Sequence, residues 1–158
     1  MGLNTKRICW DSNCFLAILN NEPNRAGVCK AIIDMAKSNT IELYASVLVT
    51  CEVAKPNDPH VDIEKFEAMI QGLFMQPYIK VVALEPVISK IARDIIRDRE
   101  LSREQYKDAI HLATAVFLKV DVFHTYDNWL LKTSRLKYGN LKISEPTDFQ
   151  LTMLDEAL

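Results

Sequence analysis

Four acidic side chains stand in local settings that suit metal-assisted phosphate chemistry. Asp11 closes the apolar run RICWD, residues 7 to 11; Glu52 lies in ASVLVTCEVAK, Asp108 in QYKDAIHLATA and Asp127 in HTYDNWLLK. Each has an ordinary explanation by itself. Asp11 precedes Ser12 and Asn13, where a helix starts, and Asp127 follows an apolar run in the same way, so both suit helix N-caps. Glu52 follows Leu48 and Val49 by four and three residues and borders the apolar stripe of its helix instead of opposing it. Asp108 is the hardest to dismiss. Ala109, Leu112, Ala113 and Val116 recur at helical spacing, and Asp108 lies four residues before Leu112 on that stripe. Ser102 to Gln105 has the form of a capping box, which starts the helix at Arg103 and puts Asp108 in its second turn, where the macrodipole helps little. A carboxylate so placed needs a cation, a hydrogen-bond donor or a metal.

The elements that must position these acids are legible as alternating strands and helices. RICWD, IELYA (41 to 45), IKVVAL (79 to 84), DVFHT (121 to 125) and LKIS (141 to 144) read as strands, rich in branched and aromatic residues. Residues 24 to 38 form a helical pattern with Cys29, Ile32, Ile33 and Ala36 on one face and Lys30, Asp34 and Lys37 opposite. Residues 59 to 75 open with Asp58 as N-cap and Pro59 at the first helical position, and carry Ile63, Phe66, Met69, Ile70 and Leu73 inward. A further helix begins at Pro86, with Ile88, Ile91, Ala92 and Ile95 buried. The alternation predicts an α/β fold: a three-layer α/β/α sandwich around a central parallel sheet of about five strands, in a single domain spanning residues 1–158.

In such sheets the ligand site lies beyond the carboxyl ends of the strands. Three of the acids follow a strand end, and Asp108 enters from the helix that leads into the fourth strand, so the fold rule gathers them in one cleft. Carboxylates gathered that closely repel, and they protonate or splay apart unless a cation neutralises them. Hard divalent ions want oxygen ligands, magnesium in an octahedron about 2.0–2.1 Å in radius, so Mg²⁺ or Mn²⁺ fits. Such ions activate water and hold the leaving oxygen in phosphodiester chemistry.

Composition narrows the class. A chain of 158 residues buries roughly two-thirds of its unfolded surface, and 49% hydrophobic residues with no low-complexity run make an ordinary compact globule. No apolar run reaches the ~20 residues of a membrane span, and MGLNTKRICWD lacks a signal peptide's apolar stretch, which places the protein in the cytoplasm. Cys9, Cys14, Cys29 and Cys51 match neither a zinc pair nor a redox CxxC; with apolar neighbours they read as reduced core residues. A net charge of -2 argues against a surface coated in basic groups for non-specific duplex binding, while leaving room for a local basic patch.

Taken together, these segments resemble the PIN-domain ribonucleases, in particular the VapC-type toxins of prokaryotic toxin–antitoxin pairs, over nearly the whole chain. DSNCFL, residues 11 to 16, is similar to the family's opening aspartate with its small hydroxyl, asparagine and apolar pair. ASVLVTCEV resembles the second motif, a serine followed six residues later by a glutamate; KDAIHLATA resembles the most distinctive segment, with Asp108 as third acid. HTYDNWL is similar to the last motif, and SEPTDFQL to the closing proline-to-phenylalanine stretch. The resemblance implies a metal-dependent endoribonuclease, with Asp11, Glu52 and Asp108 as main Mg²⁺ or Mn²⁺ ligands, directly or through water, and Asp127 as a weaker fourth. Where many members carry a second acid two residues after the fourth, this sequence has Trp129. The resemblance also implies an RNA substrate, a homodimer and a small antitoxin that binds near the cleft and inserts a basic side chain among the acids.

Around the acids, Ser12, Asn13, Ser46 and Thr125 are expected to orient the carboxylates through hydroxyl or amide groups, with local satisfaction at the strand end an equal reading for Thr125. His111, one turn after Asp108, reads as a structural or orienting histidine rather than a base or ligand. Lys107, Lys55, Lys132, Arg135 and Lys137 flank the acids and offer contacts to an RNA backbone, although each read singly is solvated surface charge. Trp129 and Tyr126 offer stacking surfaces for a base but read first as core. Two rival functions stand beside the nuclease: a PIN-like RNA-binding or protein-interaction module without catalysis, and a phosphatase using Asp11 as nucleophile. The second is disfavoured because Asn13 occupies the place of the aspartate that would serve as general acid.

Overall fold

A computed structural model describes residues 4–133 and 138–147 of the chain. Arg135 and Lys137, and the closing stretch from Asp148 onward, lie outside the described residues. The elements run in the order β1 (Lys6–Trp10), α1 (Ser12–Leu19), α2 (Ala26–Lys37), β2 (Ile41–Ser46), α3 (Val49–Glu52), α4 (Ile63–Phe74), β3 (Ile79–Val82), α5 (Pro86–Asp98), α6 (Tyr106–Leu118), β4 (Val122–His124), α7 (Asn128–Leu131) and β5 (Lys142–Ser144). The strands form one sheet in the order β3-β2-β1-β4-β5, and every pairing is parallel. Helices cover both faces, as a sheet built from crossovers requires.

The pleat divides the core in two. Ile8 and Trp10 of β1, with Ile41, Leu43 and Ala45 of β2, point to one face and pack with Phe15, Ile32, Phe66 and Ile70 from α1, α2 and α4. Cys9, between Ile8 and Trp10, points to the other, where Ile88 and Ile95 of α5 meet Ala109 and Leu112 of α6. Each half is dominated by buried apolar side chains, the arrangement that supplies most of the driving force for folding.

The sheet order fixes where a cleft opens. The chain moves outward from β1 to β2 to β3, then returns through α5 and α6 to place β4 on the opposite side of β1. The carboxyl ends of β1 and β4 are therefore the switch point at which successive connections diverge. Lys119 ends α6 in the left-handed conformation, φ 53°, and Val120 N–H closes onto the Ala115 carbonyl, turning the chain into β4.

Several sequence expectations change. The helix expected from residue 59 begins at Ile63: Asp62, not Asp58, is the N-cap and accepts from the Glu64 N–H, while Asp58 closes a turn onto the His60 N–H. In that register Phe66 and Ile70 are buried, but Ile63 and Met69 are exposed. The capping box at Ser102 and Gln105 is present, yet it opens a 3₁₀ turn at Arg103–Gln105, and the α-helix proper starts at Tyr106. Asp108 thus lies in the first α-helical turn. Cys51 is exposed, unlike the other three cysteines, because α3 turns Val49 and Val53 inward and leaves Thr50 and Cys51 outside. Among the described residues no helix is long and apolar enough to cross a membrane.

Candidate active site

Asp11 directly follows β1 and caps α1. Its Oδ1 accepts from the Asn13 N–H at 3.0 Å, so the N-cap role is real, and its Oδ2 accepts from the Thr125 hydroxyl. The same Thr125 oxygen accepts from the Asp127 N–H at 3.0 Å, which ties the loop after β4 to the end of β1. Both readings of Thr125 therefore hold at once. The Asp11 N–H, at 3.3 Å from the His124 carbonyl, continues the β1–β4 pairing into the site. Asp11 is 2% exposed. Burial pushes its carboxyl up; the Thr125 bond, nearby His111 and the Asn13 N–H oppose this, and Asp127 adds to it.

Asp108 and Asp127 complete a group of three with Asp11. Burial pushes the Asp108 carboxyl up to about 6, the Trp129 N–H pulls it down, and Asp127, in hydrogen-bonding contact with it, and Asp11 raise it further. Trp129 donates its indole N–H to Asp108 Oδ2 at 3.1 Å. Asp127 sits at the N-cap position of α7 without making the side-chain bond of a cap, so its carboxyl is free to face the other acids. No salt bridge among the described residues joins a lysine or arginine to Asp11, Asp108 or Asp127.

Glu52 is placed differently. It ends the four-residue α3, and its Oε1 accepts from Nε2 of His111, while Oε2 lies 3.7 Å from the Lys107 ammonium. Burial pushes the Glu52 carboxyl up, but the His111 bond, the nearby His111 ring and Lys107, and contact with the Ser12 hydroxyl hold it below the ordinary glutamate range. Ser12 thus orients an acid. Asn13 does so through its backbone N–H. Ser46 does not: its hydroxyl accepts from the Leu48 N–H in a turn at the end of β2. His111 is buried, with Nδ1 unpartnered. Its bond to Glu52 and that of Trp129 to Asp108 were invisible in the sequence, where only the one-turn spacing from Asp108 pointed to His111.

Among the described residues no group of three His, Cys, Asp or Glu side chains stands ready to enclose a metal ion. One tight four-acid cluster is not found among the described residues: Asp108 and Asp127 are in hydrogen-bonding contact, Asp11 is near enough to act on Asp108 electrostatically, and Glu52 is drawn toward His111 and Lys107. The three aspartates nevertheless fit a hard divalent cation by their chemistry. They are all-oxygen donors; burial, with the neighbouring carboxyls adding to it, pushes up the carboxyls of Asp11 and Asp108, and no salt bridge from a lysine or arginine offsets the three among the described residues.

The PIN domain family model matches residues 8–136 of the chain. No curated protein matches it in sequence. Among solved structures, VapBC2 from Rickettsia felis bound to a DNA fragment from its promoter has a TM-score of 0.61 at 12% identity, covering 88% of this chain and 98% of that one. VapC20 of Mycobacterium tuberculosis, described as a sarcin–ricin loop cleaving toxin, gives 0.59 at 15% identity over 76% of this chain and 89% of its own. FitAcB from Neisseria gonorrhoeae gives 0.55 at 15%, over 88% and 97%. At these identities the structural likeness shows the fold alone.

Proposed function

Because the chain belongs to the PIN-domain family, we propose that it is a metal-dependent endoribonuclease and the toxin of a type II toxin–antitoxin pair. One observation carries the reading: Asp11, Asp108 and Asp127, from three separate parts of the chain, adjoin at the β1–β4 switch point with no lysine or arginine bridging them among the described residues. Asp11, Asp108 and Asp127 would hold Mg²⁺ or Mn²⁺, with Glu52 joining directly or through water. A bound ion of this kind neutralises the acids, polarises a phosphate and lowers the pKa of a water.

The chain's own groups do the rest. Asp11 is fixed from both sides, by the Asn13 N–H on Oδ1 and the Thr125 hydroxyl on Oδ2, so its carboxylate need not reorganise when charge develops nearby. Asp108 is fixed by Trp129 and Glu52 by His111, which spreads the acids along the wall of the cleft. Lys107, whose side chain is 58% exposed beside Glu52, is positioned to meet a backbone phosphate. In-line attack by water on the scissile phosphate would leave a 5′-phosphate and a 3′-hydroxyl.

The neighbours' descriptions support the biological part. VapC20 is described as a sarcin–ricin loop cleaving toxin, and another similar structure, from Klebsiella pneumoniae, as a toxin–antitoxin complex. For this chain the corresponding substrate is a structured RNA, and the partner is an antitoxin that sets a basic side chain among the aspartates, with a homodimer of the toxin in the cytoplasm. A second reading, a PIN-like RNA-binding or protein-interaction module without catalysis, is favoured by the capture of Glu52 by His111 and Lys107. Incubation of the purified protein with a structured RNA, with Mn²⁺ or chelator, separates the two. The nuclease cuts only with the ion and leaves 5′-phosphate ends, and Asp108→Asn abolishes cutting without unfolding the chain. Binding of RNA without cleavage would establish the module.

A further inference from the structure

Two arginines rest on aromatic rings beside the acids, and both rings belong to the short segment that carries Asp127. The guanidinium of Arg25, just before α2, lies 4.2 Å from the centroid of Tyr126, and that of Arg99, just after α5, lies 5.8 Å from the centroid of Trp129. Tyr126 packs with the α1–α2–α4 half of the core and Trp129 with the α5–α6 half, so the two arginines stand on opposite sides of the sheet. The acids lie between them: Asp127 separates the two rings in sequence, and Trp129 donates to Asp108 at 3.1 Å. Arg7 makes the contrast. It lies 5.0 Å from the Tyr44 centroid, but it donates to the Leu118 carbonyl at 2.6 Å and pairs with Glu42 at 3.3 Å, so its donors are used inside the chain. Arg25 has one looser ion pair, 3.6 Å to Glu22, and Arg99 takes part in no salt bridge among the described residues.

Resting on the RNA part of the reading above, we propose that Arg25 and Arg99 are a pair of phosphate clamps that pin one unpaired RNA strand on both sides of the aspartates, so that the strand crosses the cleft between the α2 side and the α5 side. Three features converge on this. A polyanion is repelled by the aspartates and by a chain of net charge -2, so a phosphate reaches the acids only if its neighbours along the strand are held by cations on either side. A guanidinium held against a ring gives up little freedom on binding, and its N–H fork suits a phosphate. Asp11 is buried and Asp108 and Asp127 are half-buried, so the phosphate between the clamps must descend below the rim, which a flexible strand does and a stiff duplex does not. Tyr126 and Trp129 then serve as shelves for charge, not as stacking surfaces for a base.

Binding is read apart from cleavage, with chelator present, as the fluorescence anisotropy of a labelled unstructured RNA oligomer across a salt series. Arg25→Gln and Arg99→Gln should each weaken binding several-fold and make the slope of log K against log salt shallower by about 0.7, the share of one phosphate contact on a single strand; the double variant should lose about twice that. Arg25→Lys and Arg99→Lys keep the charge and should keep the slope. Lys37→Gln is the control, at the end of α2 beside Thr5 and Ile41 on the opposite edge of the sheet, and should change neither quantity. Arginine variants that behave like Lys37→Gln, no binding by the unaltered chain at low salt, or tighter binding of a duplex of equal length would overturn the inference, and cleavage with Mn²⁺ would then be judged separately. If the RNA binds through both arginines and is not cut with Mn²⁺, the nuclease reading fails and the strand path stands. Should a glutamine variant not fold, phenylglyoxal modification of the unaltered chain decides: RNA should protect Arg25 and Arg99, and equal modification with and without RNA would overturn the inference.

Discussion

Asp108 is pushed up from 3.8 to about 6, first by burial and then by the Asp127 and Asp11 carboxyls, against the pull of the Trp129 N–H. A carboxyl with a raised folded pKa binds more protons in the native state than in the unfolded one, so the ion-free protein loses stability as pH rises from about 4 to about 6. Asp108→Asn removes that charge. It is predicted to stabilise the chelated protein at pH 7 by about 1 kcal/mol, after discounting for solvent screening at a half-exposed position, and to abolish RNA cleavage. Urea unfolding of both chains across pH measures this as a difference that vanishes below pH 4. His124, pushed down to about 3 by burial and by Lys6 and Lys142, acts with the opposite sign, its contribution falling as pH drops below 6.5, and it cancels in that difference. Equal stability at pH 7 would contradict the assignment.

Thr125 makes the complementary case, since its buried hydroxyl serves Asp11 and the Asp127 N–H together. Thr125→Val should cost about 1–3 kcal/mol, from leaving a buried polar group without its partner, and lower cleavage at least tenfold; Thr125→Ser should restore most of both. Denaturant unfolding and initial cleavage rates on the two variants check it. The placement of Asp11 and Thr125 was legible because strand ends and N-caps leave local signatures. The Glu52–His111 bond was not, since it joins residues 59 apart in sequence across the cleft and no local spacing encodes it.

At the scale of the element, the strands and most helices were legible from periodicity, and α4 shows where that reading stops. Asp58 and Asp62 are competing caps four residues apart, and Pro59 favours the first by the usual rule for an opening turn. The chain uses Asp58 for a turn and Asp62 for the helix. The apolar residues of α4 cover an arc wider than its buried face, because the helix meets mainly α1 and the sheet's outer strand β3. A substitution pair measures the consequence. Phe66→Ala is expected to cost about 3–5 kcal/mol and Ile63→Ser to change stability by less than about 0.5 kcal/mol. Comparable losses from both would restore the helix start at residue 59. Cys51 follows the same logic: composition marks it as apolar, and only the short length of α3 puts it outside.

The whole molecule explains why the acids meet at all. With strand order β3-β2-β1-β4-β5, the last residues of β1 and β4 are neighbours, and Asp11 and Asp127 follow them, while α6 brings Asp108 in just before β4. Alternation of strands and helices made the parallel sheet legible, but not its strand order, which depends on pairings between strands far apart in sequence. The repulsion it creates is a property of the assembled chain and of no single segment. Thermal unfolding with chelator and with millimolar Mg²⁺ or Mn²⁺ is the most direct measurement of it. An ion bound only by the native state stabilises by about 2.7 kcal/mol at a hundredfold excess over its dissociation constant, so the unaltered chain should melt several degrees higher with the ion, and Asp11→Asn and Asp108→Asn should not. A melting temperature indifferent to both ions in the unaltered chain, or raised equally in all three proteins, would contradict a cation site built from Asp11, Asp108 and Asp127.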